Sequence, residues 1–279
     1  MSGEWQGRAR AEAFRTKHSL GVLPLGDLVA LIEPTQGIDV AILDAEPDEH
    51  GMTMRDPVRG AVIVAAARTR NPMRQRSSLA HELGHLLFGD CAPPKASGWD
   101  ARSSQEIRAD AFARHLLVPV EGVRSILGGR DSVTLSHLSV LVQRFLASPS
   151  VVAIQLQQAG YIDDPRKKEW MTQTTPRLAS RFGWSDQYHG LQEESNQRRA
   201  PQRLLSRAIE GYLANAVSLQ SIARLRGVSA EVIEQEFAEA GIAPVEQAVL
   251  WGRPDNLPAA GADLSDLDEP DTEAETHHE

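Results

Sequence analysis

From Ser78 to Asp90 the chain reads Ser-Leu-Ala-His-Glu-Leu-Gly-His-Leu-Leu-Phe-Gly-Asp. Within it, His81-Glu82-Leu83-Gly84-His85 matches the H-E-x-x-H pattern of zinc-binding helices. Residues four apart on an α-helix are turned by roughly 40°, so two imidazoles at that spacing face one point in space. Glu82 lies about 100° round from His81, within reach of water at such a point without being a ligand. Leu79, Leu83, Leu86 and Leu87 form the apolar stripe of a helix that faces a core. Ser78 is the expected N-cap and Gly89 the expected residue just past the C-terminus.

The segments around this helix have recognisable periods. Glu4 to His18 predicts a helix, and Gly26 to Ile32 begins another that Pro34 should end. Ile38–Leu43, Gly51–Met54 and Ala61–Ala66 read as three short strands, separated by turn-forming clusters at Asp44–Asp48 and Asp56-Pro57. A small antiparallel sheet ahead of the metal helix is the expected assembly. Cys91 to Ser103 reads as a loop, and Ser104 to Leu117 as a helix stopped by Pro119. On a helical wheel Glu106, Ala109, Asp110, Ala113 and Leu117 share one face, while Arg108 and His115 point to a face expected to be solvated.

Catalytic zinc keeps three protein ligands and an open position, and His₂Glu is a common set. Glu106 is therefore the preferred third ligand after His81 and His85, and Asp110, one turn on, the candidate to orient a ligand imidazole. Asp90 and Asp100 are rival ligands. Arg74 to His85, with Glu106-Ile107-Arg108-Ala109-Asp110-Ala111-Phe112-Ala113 and Leu116-Leu117-Val118-Pro119, resembles the ImmA/IrrE family of metallopeptidases over Leu25 to Ile162. Ser77 stands where that family commonly has Phe. The resemblance implies an α+β fold with a zincin-like core, zinc on both histidines and Glu106, and regulatory proteolysis in bacteria or phage. The substrates the resemblance implies are DNA-binding repressors, often helix-turn-helix proteins encoded nearby.

Beyond Pro119 the pattern is helical. Thr134–Leu146 with Ser150–Ala159, and Leu219–Leu225 with Ala230–Ala240, look like helix–turn–helix pairs. Yet Ala230 to Ala240 carries Glu231, Glu234, Glu236 and Glu239 and no base, and Val151 to Gln158 has none either. Direct nucleic-acid binding is not expected from such surfaces. The organisation expected is a metallopeptidase domain over 1–162, a polar extension or linker over 163–200, a small helical region over 201–253 and a disordered acidic tail over 254–279. The net charge of −9 resides in that tail: from Pro254 onward there are nine acids and no Lys or Arg. A single cysteine, Cys91, excludes an intrachain disulfide. With no signal-peptide pattern at Met1 to Phe14 and no long apolar run, a cytoplasmic protein with no membrane partner is expected.

The expected activity is that of a zinc endopeptidase with Glu82 as general base, acting on a repressor-type protein. The oxyanion stabiliser stays open among Tyr161, Tyr188, Tyr212 and His189. A zinc-stabilised regulator that binds without cutting, or a DNA-binding transcription factor, are the alternatives. His18, His50, His137 and His189 have no partner at ligand spacing, and His277-His278 and Cys91 read as bystanders.

Overall fold

The computed structural model describes residues 2–45, 51–56, 58, 60–90 and 103–245. Asp100, Cys91, His50, the turn at 46–48, most of the 91–103 loop and the acidic stretch 254–279 lie outside them. Within the described residues the architecture is α+β: α1 (Gly3–Lys17), α2 (Leu28–Gln36), β1 (Asp39–Leu43), β2 (Gly51–Arg55), β3 (Val62–Ala67), α3 (Pro72–Phe88) and α4 (Ser104–Leu117) come first. A run of helices follows: α5 (Val120–Leu127), α6 (Leu135–Phe145), α7 (Pro149–Gln158), α8 (Asp164–Met171), α9 (Thr175–Phe182), α10 (Ser185–Ser195), α11 (Gln202–Leu213), α12 (Leu219–Arg226) and α13 (Ala230–Ala240). None is long and apolar enough to cross a membrane by itself.

The sheet has the order β1-β3-β2 and is mixed, where an antiparallel one was expected. β2 pairs antiparallel with β3, Thr53 opposite Val64, and β1 pairs parallel with β3, Val40 opposite Val64. Two chain reversals return β3 to the direction of β1, and apolar pattern alone carries no information on direction. Val40 and Val64 are fully buried, and Thr53, in register with them, reaches α3 through a contact to Glu82. Met52 and Met54 alternate outward and are exposed.

Two helix boundaries differ from expectation. α3 starts at Pro72, not after Ser78: the Asn71 side chain caps it by accepting from Arg74 N at 3.2 Å, and Pro72 occupies the first turn. Proline is tolerated there because its missing N–H would be unpaired anyway. Pro34 lies inside α2, which ends at Gly37 in the left-handed region (φ 63°). The far face of α4 is buried as well, with His115 only 3% exposed. The reason is α1, which crosses α4 so closely that a Cβ on Gly7 would sit 2.4 Å from Arg108 O and 2.5 Å from Ala111 Cβ.

The stretch 163–200 forms α8 to α10 and packs on the main core through Trp170, Leu178, Trp184 and Tyr188. Trp184 Nε1 donates to Ser139 Oγ at 2.9 Å, so the indole is buried with its polar atom satisfied. α11 to α13 hold a smaller core of their own around Ile222, Ile233 and Phe237. Between them the chain runs along the outer edge of β1, where Ile42 and Arg199 exchange two backbone hydrogen bonds of 2.9 and 3.0 Å.

Candidate metal centre

α3 and α4 meet at Gly84. A Cβ there would lie 3.2 Å from Ala109 Cα and 3.1 Å from the Phe112 ring, so any side chain at this position would press on α4. The close approach sets the face of α4 that carries Glu106 against the imidazole face of α3. His81, His85 and Glu106 each offer an atom to one point, all within 4.8 Å of one another. The two histidine Nε2 atoms are 2.9 Å apart. Glu106 Oε2 lies 3.2 Å from His81 Nε2, and its Oε1 lies 3.4 Å from His85 Nε2. Two imidazoles and one carboxylate form a donor set that fits zinc. Glu106 is about half exposed while the imidazoles are largely covered, so among the described residues the cluster opens on the carboxylate side.

Asp110 sits one turn beyond Glu106, and its Oδ1 is 3.0 Å from His81 Nδ1. Burial alone would lower the pKa of His81. The hydrogen bond and charge of Asp110, with the charges of Glu106 and Glu82, outweigh it and hold the imidazole above its ordinary value. The same contact leaves His81 Nε2 as the nitrogen that faces the cluster.

Glu82 is outside the His81–His85–Glu106 cluster. Its Oε2 accepts a 2.8 Å hydrogen bond from the Thr53 hydroxyl of β2. Gly51, at the start of the same strand, makes room for it: a Cβ there would fall 3.0 Å from Glu82 Cγ and 3.1 Å from Oε1. Sequence reading missed both residues, because contact between β2 and α3 is not encoded in any local spacing. β2 is an edge strand, with its ladder bonds going to β3 alone among the described residues.

Asp90 does not join the cluster. Gly89, with φ 73°, turns the chain back so that Asp90 lies on the Nδ1 side of His85, at 3.7 Å, and Arg108 holds its carboxylate. The four candidates for the oxyanion role fare differently. Tyr161 donates to Gly128 O, Tyr188 stacks edge-on against Trp184 in the core, and Tyr212 packs on Phe237. None of these contacts touches a cluster residue, and His189, on α10, is no member of the metal group either. His137 caps α6 by accepting from Thr134 N at 3.0 Å, and His18 stacks on Phe14.

Residues 35–157 match a protein-family model, Peptidase_M78, described as the IrrE N-terminal-like domain. The match takes in the sheet, α3, α4 and the helices through α7. No curated protein matches the chain.

Proposed function

We propose, from the match of residues 35–157 to the IrrE N-terminal-like peptidase domain, that this chain is a zinc-dependent endopeptidase. The observation that carries the reading is the convergence of His81, His85 and Glu106 on one point, with Glu82 held beside it and not in it. His81 and His85 would hold the ion through Nε2, and Glu106 through its carboxylate. Zinc bound there supplies Lewis acidity, polarising a carbonyl and drawing the pKa of water toward neutrality.

The remaining work falls to the chain's own groups. Thr53 engages Glu82 Oε2, which leaves Oε1 to take a proton from the attacking water and deliver it to the leaving amine. Asp110 keeps His81 in the tautomer that presents Nε2 to the ion. The outer edge of β2, the strand whose Thr53 holds Glu82, has no strand partner among the described residues and offers backbone groups to an extended peptide. A structural zinc site has no use for a general base held in this way. That favours catalysis over a regulator that binds without cutting.

The substrate class rests on the family resemblance: a helix-turn-helix repressor inside the cell. The single cysteine of the chain suits a reducing compartment. Direct nucleic-acid contact is not part of this reading, because α13 presents Glu231, Glu234 and Glu239. The test is incubation of the purified chain with a genomically neighbouring repressor, with zinc and with chelator, read on a gel. Zinc-dependent fragments of defined mass are expected. Binding of the repressor without cleavage would replace this reading by that of a zinc-containing regulator.

A further inference from the structure

His85 has two ring nitrogens, and only one faces the cluster. Nε2 lies toward His81 and Glu106, while Nδ1 is buried and makes no hydrogen bond among the described residues. Ligation through Nε2 requires a neutral ring with that nitrogen bare, so the proton must reside on Nδ1. A buried N–H needs an acceptor. The acceptor that faces Nδ1 is Asp90 Oδ2, at 3.7 Å.

Asp90 is set there by several independent contacts. The left-handed turn at Gly89 ends α3, and Asp90 N then bonds back to His85 O at 2.9 Å. Arg108 grips both carboxylate oxygens, with Nε 3.0 Å from Oδ2 and Nη2 on Oδ1. Gln105 Nε2 adds a 3.3 Å contact to Oδ1. The guanidinium of Arg108 is itself laid over the Phe88 ring at 4.8 Å. The Asp90 side chain is 5% exposed, which puts a carboxylate out of water, and among the described residues the Arg108 guanidinium balances it. Such an arrangement holds an oxygen in place near a ring it does not yet bond.

We propose, building on the metal-site reading above, that Asp90 with Arg108 is the positioning pair for His85. Asp90 accepts Nδ1–H and so keeps Nε2 free for the ion, the part that Asp110 has for His81. α4 then serves both histidines: Asp110 acts directly on one, and Arg108 acts through Asp90 on the other. Asp90 is not a ligand, because it meets His85 on the nitrogen away from the cluster.

Zinc affinity by chelator competition tests this, on the full chain carrying Asp90→Ala, Asp90→Asn, His85→Ala or the double change His85→Ala/Asp90→Ala. Nitrogen chemical shifts of the His85 ring in the metal-free chain give a second readout that does not depend on activity. Asp90→Ala should weaken zinc binding by about 10–100-fold, the range for loss of an orienting partner. Asp90→Asn, whose amide oxygen still accepts, should recover part of it. In the His85→Ala background the second change should add nothing, since Asp90 acts through that ring. The ring shifts should report Nδ1–H in the unaltered chain and a move toward Nε2–H in Asp90→Ala. Unchanged affinity and unchanged tautomer in Asp90→Ala, with His85→Ala abolishing binding, would overturn the positioning role alone. A loss in both Asp90 variants as complete as that of His85→Ala would make Asp90 a ligand and overturn it too. Zinc binding that survives His85→Ala intact would bring down the metal site and this inference together.

Discussion

Which atom carries a proton decides what each side chain of the cluster can do. Glu82→Gln removes a base and no ligand, so it should keep zinc at full stoichiometry by metal analysis and lose peptide hydrolysis. Thr53→Val should lower kcat with little change in zinc affinity, because it frees Glu82 Oε2 without touching the ligand group. Equal loss of metal in either variant would assign Glu82 to the ion. The imidazoles set the pH dependence. Zinc takes up only neutral His, and the Asp110 contact holds the His81 pKa above its ordinary 6.5. Apparent zinc affinity should therefore fall as pH drops through that raised value. In metal-free chain the sign reverses: the stability from the His81–Asp110 pair is full below about 6.5 and is lost as pH rises through the raised pKa. Asp110→Asn should move the fall in zinc affinity to lower pH, measured by chelator competition across a pH series. His81, Glu82 and His85 were legible in five consecutive residues, and Glu106 with Asp110 in a helical wheel. Thr53, Gly51 and the Asp90–Arg108 pair were not, because each acts across segments that only the folded chain joins.

Helix packing governs how precisely α4 presents its carboxylate. α1 meets α4 closely at Gly7, and α3 meets it closely at Gly84. Gly7→Ala puts a methyl 2.4 Å from a backbone carbonyl, so α1 must move off α4. Overpacking of this kind costs about 1–3 kcal/mol, well above the gain of about 0.5–1 kcal/mol that Ala brings to a helix interior. A lowered midpoint of thermal unfolding is expected, and one that rises would show that α1 adapts freely. Gly84→Val should weaken zinc binding more than Gly7→Ala does, since it pushes α4 directly away from the imidazoles. Most helices and strands were readable from period and caps, including the glycine that ends α3. The start of that helix was not, because Ser78 offered a nearer capping residue than Asn71, which proline made the stronger signal. Strand direction was not either, since the hydrophobic alternation of β1 is the same whichever way its neighbour runs.

At the scale of the whole molecule, a buried polar link ties α1, α4 and α7 together. His115 Nδ1 is 3.2 Å from Gln155 Nε2 and its Nε2 is 3.4 Å from Glu4 Oε1, with Arg114 on the same carboxylate. Burial, with the charge of Arg114, pushes the His115 pKa down despite Glu4. The stability that follows is full above the ordinary value of about 6.5 and is lost as pH falls through the depressed one. His115→Gln should flatten this part of the acid side of a stability–pH curve measured by urea unfolding. The stretch 163–200 reads as a polar extension or linker because its charged residues outnumber its apolar ones. Trp170 and Trp184, few but large, nonetheless close the main core. A chain ending at Ile162 should therefore show a lower unfolding midpoint and a smaller soluble fraction than the full chain, because it uncovers that core and bares the edge of β1. The strap on that edge also fixes an order of events during synthesis. Arg199 reaches back across 172 positions to Asp27, so β1 waits for its outer partner until long after α3 and α4 have left the ribosome. The helices that carry His81, His85 and Glu106 are thus complete well before the sheet that backs them receives its outer partner at Arg199.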